Sequence, residues 1–589
     1  MVRLACFVLT LPLVVQAQES SLFDAIRNNT LTAVTPETVN TRDRRETTLL
    51  MYAAAYGSLD TLTLLLNSGA DVNAKNSFDS TALHWAAAEP ERAARLIAKG
   101  ADVNARTKQG RTPLMIAAAC NGCSETVKLM LAKGADAQAA DTTGVTALDL
   151  AAGAGDLESM RLLIARGAQA GTADRAGVTS LQYAAMHCSP EAIQLLLSKG
   201  ADAQAANHMS GKVKFGDIML YKRTALHIAA PFCSAAIVKT LVDRGAPVNT
   251  PDARGMTPLM LAVSSEHQDA AVVRTLLEAG ADVKLASTVG ETALDWAKKF
   301  GNREVLGLLT EAGAPAGVPF VAPRQPSGKP FAVKAAVERA TSLLQKSAVE
   351  FFKQAGCVGC HHQPAAVAAL VAARSHGAKV DEASAKDLVT MMSTENTGAQ
   401  DRLFQRQDPG GGSDGAGYNL LALAAAKHPA DAKTDTLVIH TGLSQMQAGN
   451  WHLGDASRAP VEESDIARTV RAMRTLQLYA PPARKPEFDA KIAHAATWLA
   501  AAKPSTNDDF AMQLVGLHWT GAAPAKIQSI GKSLLAAQRE DGGWSQNPNL
   551  ASDAFATGET LWALHESGIL KPSDAAYQRG VKYLSLIHI

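Results

Sequence analysis

The sequence predicts an all-α protein, a repeat solenoid followed by a second helical unit, and three observations carry that expectation. Hydrophobic residues make up 47% of the 589 positions and aromatics only 5%, which suits short Ala- and Leu-rich helices better than an aromatic-rich β-sandwich. A unit recurs between residues 47 and 314 with a period near 33. After a Pro-rich stretch at 315–331 the pattern changes to longer amphipathic helices. Lys plus Arg number 57 against 56 Asp plus Glu, so the balance of +1 offers no cationic field for nucleic acid.

Residues 1–17 read as an export leader. Arg3 is followed by a 12-residue apolar run, Leu4 to Val15, with the small residues Val15 and Ala17 at the positions a signal peptidase inspects. The run is too short to cross a bilayer, and no later stretch is long and apolar enough. A periplasmic or secreted location, in an oxidising compartment, is the expectation.

Residues 18–46 form an N-terminal cap, with Leu22-Phe23-Asp24-Ala25-Ile26 as a degenerate first helix. Eight units follow over 47–314. Their openings are Thr47-Thr48-Leu49, Thr81-Ala82-Leu83-His84, Thr112-Pro113-Leu114, Thr146-Ala147-Leu148, Thr179-Ser180-Leu181, Thr224-Ala225-Leu226-His227, Thr257-Pro258-Leu259 and Thr292-Ala293-Leu294. About 22 residues after each opening stands a Gly: 69, 100, 134, 167, 200, 245, 280 and 313. Thr caps the first short helix, small residues such as Ala86 and Ala117 let two helices approach, and Leu65-Leu66 buries against the next unit. Gly supplies the left-handed stop of the second helix. These units resemble the ankyrin repeat, which implies a protein-binding solenoid rather than a catalyst. About 12 residues, around Asn207 to Lys222, are inserted before Thr224, and such insertions map to loops on one face.

The third part, 332–589, opens on a long helix, Val333 to Gln354, and then reads Cys357-Val358-Gly359-Cys360-His361. Two thiols three apart and an adjacent imidazole form the attachment signature of c-type haem: the thiols make thioethers and His361 takes an axial iron position. Met391, Met392 or His376 could supply the second axial ligand, although a Met pair in an apolar helix is also ordinary core packing. The same atoms, with His362, could instead hold zinc or close a disulfide.

Two further strings, Gln445 to Trp451 and Gln538 to Trp544, both read Q-x-x-x-G-x-W and are followed by Ser464-Asp465 to Thr469 and Ser552-Asp553 to Thr557. They resemble the QW repeats of squalene-hopene cyclases and related prenyltransferases. The resemblance implies a partial α/α toroid in which Gln and Trp tie helices to loops. The cyclase acid D-x-D-D is missing: Asp508-Asp509 and Asp541 stand without its other members, and capping explains Asp465 and Asp553 beside their serines. An opening at Arg579 to Leu584 meets His588 where Gln is expected, so the third part reads as truncated.

Four cysteines lie in the solenoid. Cys120 and Cys123 form C-x-x-C, and Cys188 and Cys233 each fall nine residues after the opening Thr of adjacent units. Repeats stack about 10 Å apart while a disulfide needs Cα atoms within roughly 7 Å, so bridging Cys188 to Cys233 requires a local distortion. Both bridges are candidates, with free buried thiols as the alternative. The functional expectation is an exported scaffold that docks a protein partner and uses haem toward a redox partner. The alternatives are a scaffold with a zinc or disulfide staple, and a cyclase-like enzyme whose catalytic residues lie outside the chain.

Overall fold

A computed structural model describes residues 22–208, 211–213, 216–218, 220–264, 268–315, 332–355, 362–395, 399–407, 412–452 and 464–586. The leader, most of the Pro-rich linker at 315–331, and Cys357, Cys360 and His361 lie outside the described residues, as does His588.

Each solenoid unit is built as its opening dictates. Thr48, Thr81, Thr112, Thr146, Thr179, Thr224, Thr257 and Thr292 all occupy N-cap positions of first helices, from Leu49–Tyr56 to Ala293–Phe300. In six of them the Thr side chain accepts from an amide that the helix start leaves orphaned. In two units the residue three places on is His: Thr81 N donates to His84 Nδ1 at 3.1 Å and Thr224 N to His227 Nδ1 at 3.1 Å. The other ring nitrogen then carries the proton, and Nε2 donates across the stack to Arg111 O at 3.2 Å and to Thr250 O at 2.9 Å. The glycines that end the second helices adopt φ between 82° and 95°, the left-handed region where a Cβ would be strained.

Between units the chain reverses through a tight turn, and the turns stack by main-chain bonds: Ser77 N to Arg45 O, Lys108 N to Phe78 O, Thr142 N to Gln109 O and Arg175 N to Thr143 O. The insertion does not break this ladder. His208 N still meets Ala176 O and Ala253 N meets Tyr221 O, while Lys222 N closes back onto Asn207 O. The inserted residues leave from the turn's tip as a two-stranded antiparallel hairpin, Gly211–Val213 with Gly216–Ile218. Among the described residues the all-α expectation is corrected here, because the extra residues pair with each other as strands.

The C-terminal part is a two-layered series of helices. His362–Ser375, Gly412–Ala425, Asp465–Tyr479, Asn507–Trp519 and Ala554–Glu566 pack one against the next. Ala432–Leu443, Lys485–Ala501, Pro524–Ala536 and Ala575–Leu586 lie outside them. The inner helix Asp465–Tyr479 is buried on nearly every side, as a helix with neighbours all round must be. Gln and Trp act as ties at both repeated strings. Gln445 Nε2 donates to Gly449 O and Lys491 O, both at 2.9 Å, and Gln538 Nε2 to Gly542 O at 2.9 Å and Ala576 O at 2.8 Å. Trp451 Nε1 donates to Thr441 O at 2.6 Å and Trp544 Nε1 to Leu534 O at 2.7 Å. Among the described residues no helix is long and apolar enough to cross a membrane.

Candidate functional site

The haem-type string stands in the chain between helix Val333–Ala355 and helix His362–Ser375, which pack against each other. Its side chains are outside the described residues, and so are the thiols and imidazole of the zinc alternative. The proposed second ligands can be placed. Met392 is buried in the core and Met391 packs partly buried against it, the arrangement that simple packing produces. His376 is exposed at the end of its helix, with Nδ1 2.9 Å from Ala372 O. Among the described residues no group of three or more His, Cys, Asp or Glu is arranged to hold a metal ion.

Both cysteine pairs of the solenoid stand at bonding distance. Cys120 and Cys123 have Cα atoms 5.5 Å apart, and Cys188 and Cys233 5.2 Å. Cys188 has a φ of 52°, but Gly155 and Gly301, at the same position of units without a second cysteine, are also left-handed at 65° and 72°, so this is the ordinary stop of the first helix and not a distortion made for the bridge.

A polar cluster that the sequence reading missed lies within the first two turns of four consecutive inner helices. Asp414, 2% exposed, receives Arg468 Nε at 2.7 Å and one Arg471 amino group at 3.0 Å. Burial alone would raise the Asp414 carboxyl, but the Arg471 and Arg468 guanidiniums outweigh it and hold the group below its usual range. Arg471 also lies over the Tyr418 ring, 4.5 Å from its centre. Next to it Asp508, from the neighbouring helix, meets the Glu559 carboxyl from the helix beyond. Apart from each other, neither Asp508 Oδ2 nor Glu559 Oε2 meets an N–H or O–H donor among the described residues. Burial pushes both carboxyls up and the Asp508 charge raises Glu559 further, so Glu559 keeps its proton and donates it to Asp508. Both carboxyls thus bind a proton more readily than exposed ones do, beside a fixed guanidinium.

The adjoining Asp509 points elsewhere, closing a capping box with Thr506 and accepting from Ser464. Asp553 is a helix cap, accepting from Ala556 N at 2.9 Å. Asp465 is not. Ser464 caps that helix, and Asp465 instead accepts from His452 Nδ1 at 3.0 Å and Arg468 at 3.1 Å. No sequence spacing announces the cluster, since its members come from four helices spread over some 150 residues, 414 to 559.

The third arrangement is the solenoid's own groove, the face made by first helices and turns. Over the first three units the chain's own helical part occupies it. Phe404 lies between the rings of Tyr56 and Trp85, at 5.6 and 4.8 Å. Asp401 Oδ1 accepts from Asn76 at 2.8 Å and from Trp85 Nε1 at 3.1 Å. Gln405, fully buried, bridges Thr107 and Ser80. Tyr56 OH meets Thr436 Oγ1 at 2.6 Å. At the rim Arg92 donates to Glu487 at 2.6 Å and to Glu89 at 3.2 Å, while Arg484 binds both Glu89 and Glu487. Each part thus contributes one Arg and one Glu to a closed ionic quartet.

No curated protein matches the chain. Among solved structures it is similar to the crystal structure of the human ASB11 ankyrin repeat domain, at 24% identity and a TM-score of 0.34 over 40% of this chain and 100% of that one. The family profile described as ankyrin repeats (3 copies) matches in seven overlapping placements, from 21–107 to 226–318. Together these span residues 21–318, 298 of the 589 and so half of the sequence. With its Thr caps, left-handed glycines and stacked turns in place, the chain belongs to the ankyrin repeat family.

Proposed function

We propose that this protein is an exported recognition scaffold whose solenoid docks a protein partner and whose helical part carries a covalently attached c-type haem for single-electron transfer or sensing. The observation that carries the haem assignment is the string Cys357-Val358-Gly359-Cys360-His361. Its donor set fits the group: two thiols at the tethering spacing and an imidazole beside the second. Cys357 and Cys360 would hold the porphyrin by thioether links, and His361 would hold the iron from one side. When bound, the group supplies a one-electron couple. Two cysteine pairs at bonding distance in the solenoid support an oxidising compartment, as the leader-like start does. The burial of Met392 in the core is accounted for by packing alone.

Protein docking is assigned to the later units, because the first three have their groove filled in cis. The hairpin at 211–218 leaves the chain at the turn that precedes the sixth unit, beside those later repeats.

The test is the protein matured in a host that exports it and attaches haem c. A pyridine haemochrome band that survives denaturation, and its loss in Cys357→Ala, is the expected result. Colourless protein of unmodified mass would overturn the haem assignment, and one bound zinc per chain in that colourless protein would assign the string to a metal staple.

A further inference from the structure

A cleft of about 340 Å³ opens between the solenoid and the helical part, and the Cys120–Cys123 pair lines it. Leu443 and Gln445 close its far side, and Glu89, Arg92 and Lys491 lie around it. We propose that Cys120–Cys123 is an exchangeable disulfide that reacts in this cleft with a low-molecular-weight thiol.

Three features separate it from the other pair. Cys188–Cys233 joins neighbouring repeats across 45 residues, where a crosslink restricts the unfolded chain strongly. Cys120–Cys123 spans a separation of three, so its closure restricts little and holding the fold together is a poor account of it. Cys123 is also the N-cap of the nine-residue helix Ser124–Ala132, whose free amides and dipole favour a thiolate there. Finally, the cleft has the size of a small-molecule pocket and not of a protein interface.

Lys491 brings positive charge to the same cleft, its amine lowered by burial. Both residues are buried, Cys120 7% and Cys123 3% exposed, so a thiol reaches them through the cleft, and the helix start that favours Cys123 as the leaving thiolate makes Cys120 the sulfur attacked.

The exchange balances without any further reagent. An external thiolate attacks Cys120 Sγ, the Cys120–Cys123 bond breaks, and Cys123 leaves as the thiolate at the helix start. A second thiolate attacks the external sulfur of the mixed disulfide, releases Cys120 as a thiolate and departs as the symmetrical small disulfide. Two electrons enter the protein, two thiols are oxidised, and the two protein thiolates take up protons.

The turn that would open is also a docking contact. Asn121 Oδ1, between the two cysteines, accepts from Gln447 N at 2.9 Å, and Gly122 packs on the Gln447 side chain. Exchange would therefore be felt at the join between the two parts.

The test uses the full-length protein in glutathione buffers of graded thiol excess, with alkylation and peptide mass mapping. Cys120–Cys123 is expected to open reversibly at a thiol excess at least tenfold below that needed for Cys188–Cys233, with the far-ultraviolet dichroism unchanged. Folded Cys123→Ser is expected to hold a glutathione adduct on Cys120. Opening of both pairs at one thiol excess, or opening of Cys120–Cys123 only as the chain unfolds, would overturn the proposal. That comparison needs only the unaltered protein and stands even where the variant does not fold. It is independent of the haem assignment, whose string lies elsewhere.

Discussion

At the residue scale the clearest device is the imidazole inside the Thr-x-x-His capping box. His84 and His227 are fully buried, each accepting from its own Thr amide and donating to the next repeat, so both must be neutral. Burial lowers both to about 4 from an ordinary 6.5. His187 is likewise lowered to about 4, by burial and by the facing His452 ring 5.0 Å away. Between pH 6.5 and 4 the unfolded chain binds protons that the folded chain refuses. Stability is therefore complete above about pH 6.5 and is lost as pH falls toward 4, by up to roughly 3 kcal/mol for each buried imidazole.

The fifth unit shows how to remove that dependence. Gln182 makes the same two bonds without titrating, accepting from Thr179 N at 2.8 Å and donating to Arg223 O at 2.5 Å. The double variant His84→Gln/His227→Gln is expected to flatten the fall in urea midpoint between pH 6.5 and 4. An unchanged slope would show that these rings do not set it. The TALH pattern was plain in the sequence; that the ring spans two repeats was not, since it depends on the carbonyl that stacking brings within reach.

At the scale of elements, the Gln and Trp ties are the example where a repeated string reported a repeated geometry. Each Trp is fully buried, anchors its indole N–H on a helix-end carbonyl and takes a Thr hydroxyl at its own amide, Thr469 for Trp451 and Thr557 for Trp544. Trp451→Phe keeps most of the apolar area but removes the indole donor to Thr441 O, which keeps its bond from Ser444 N. A loss of about 1 kcal/mol is expected, and the same from Trp544→Phe at Leu534 O, which keeps Ala537 N. Equal urea midpoints for wild type and both variants would mean that the indole N–H contributes nothing.

The aspartates beside these strings were legible only in part. Capping, a local effect, correctly accounts for Asp553. Asp508 resisted such reading because its partners, Arg471 and Glu559, are 37 and 51 positions away, and only helix packing brings a second carboxyl against it.

For the whole molecule, the two parts are joined through the filled groove and the ionic quartet. Arg484 has 1% of its side chain exposed, and it donates to Ala55 O at 2.7 Å as well as to both glutamates. Arg484→Met leaves Glu89 and the Ala55 carbonyl without that partner. A loss of about 3 kcal/mol is expected, with faster hydrogen exchange in Leu49–Tyr56 and in Lys485–Ala501 together. The exposed ion pair Lys485–Asp489 one residue away is the control: Lys485→Met should change stability by less than about 0.5 kcal/mol. Equal effects of the two variants would show that the parts do not support each other through this contact. A practical consequence follows for recognition, because a partner must use the later repeats or displace the segment around Phe404.

By itself the sequence determined the repeat count, the caps, the left-handed stops, the site of the insertion and the paired Gln and Trp ties, because all of these rest on bonds between residues close in the chain or on a pattern that repeats. The tertiary structure alone decided that Cys188 meets Cys233, that Asp508 faces Glu559, and that the solenoid's first groove is filled by residues about 300 or more positions away. Those outcomes depend on which surfaces are brought together when apolar faces are buried, and a periodic pattern says that a face will be covered without saying by what.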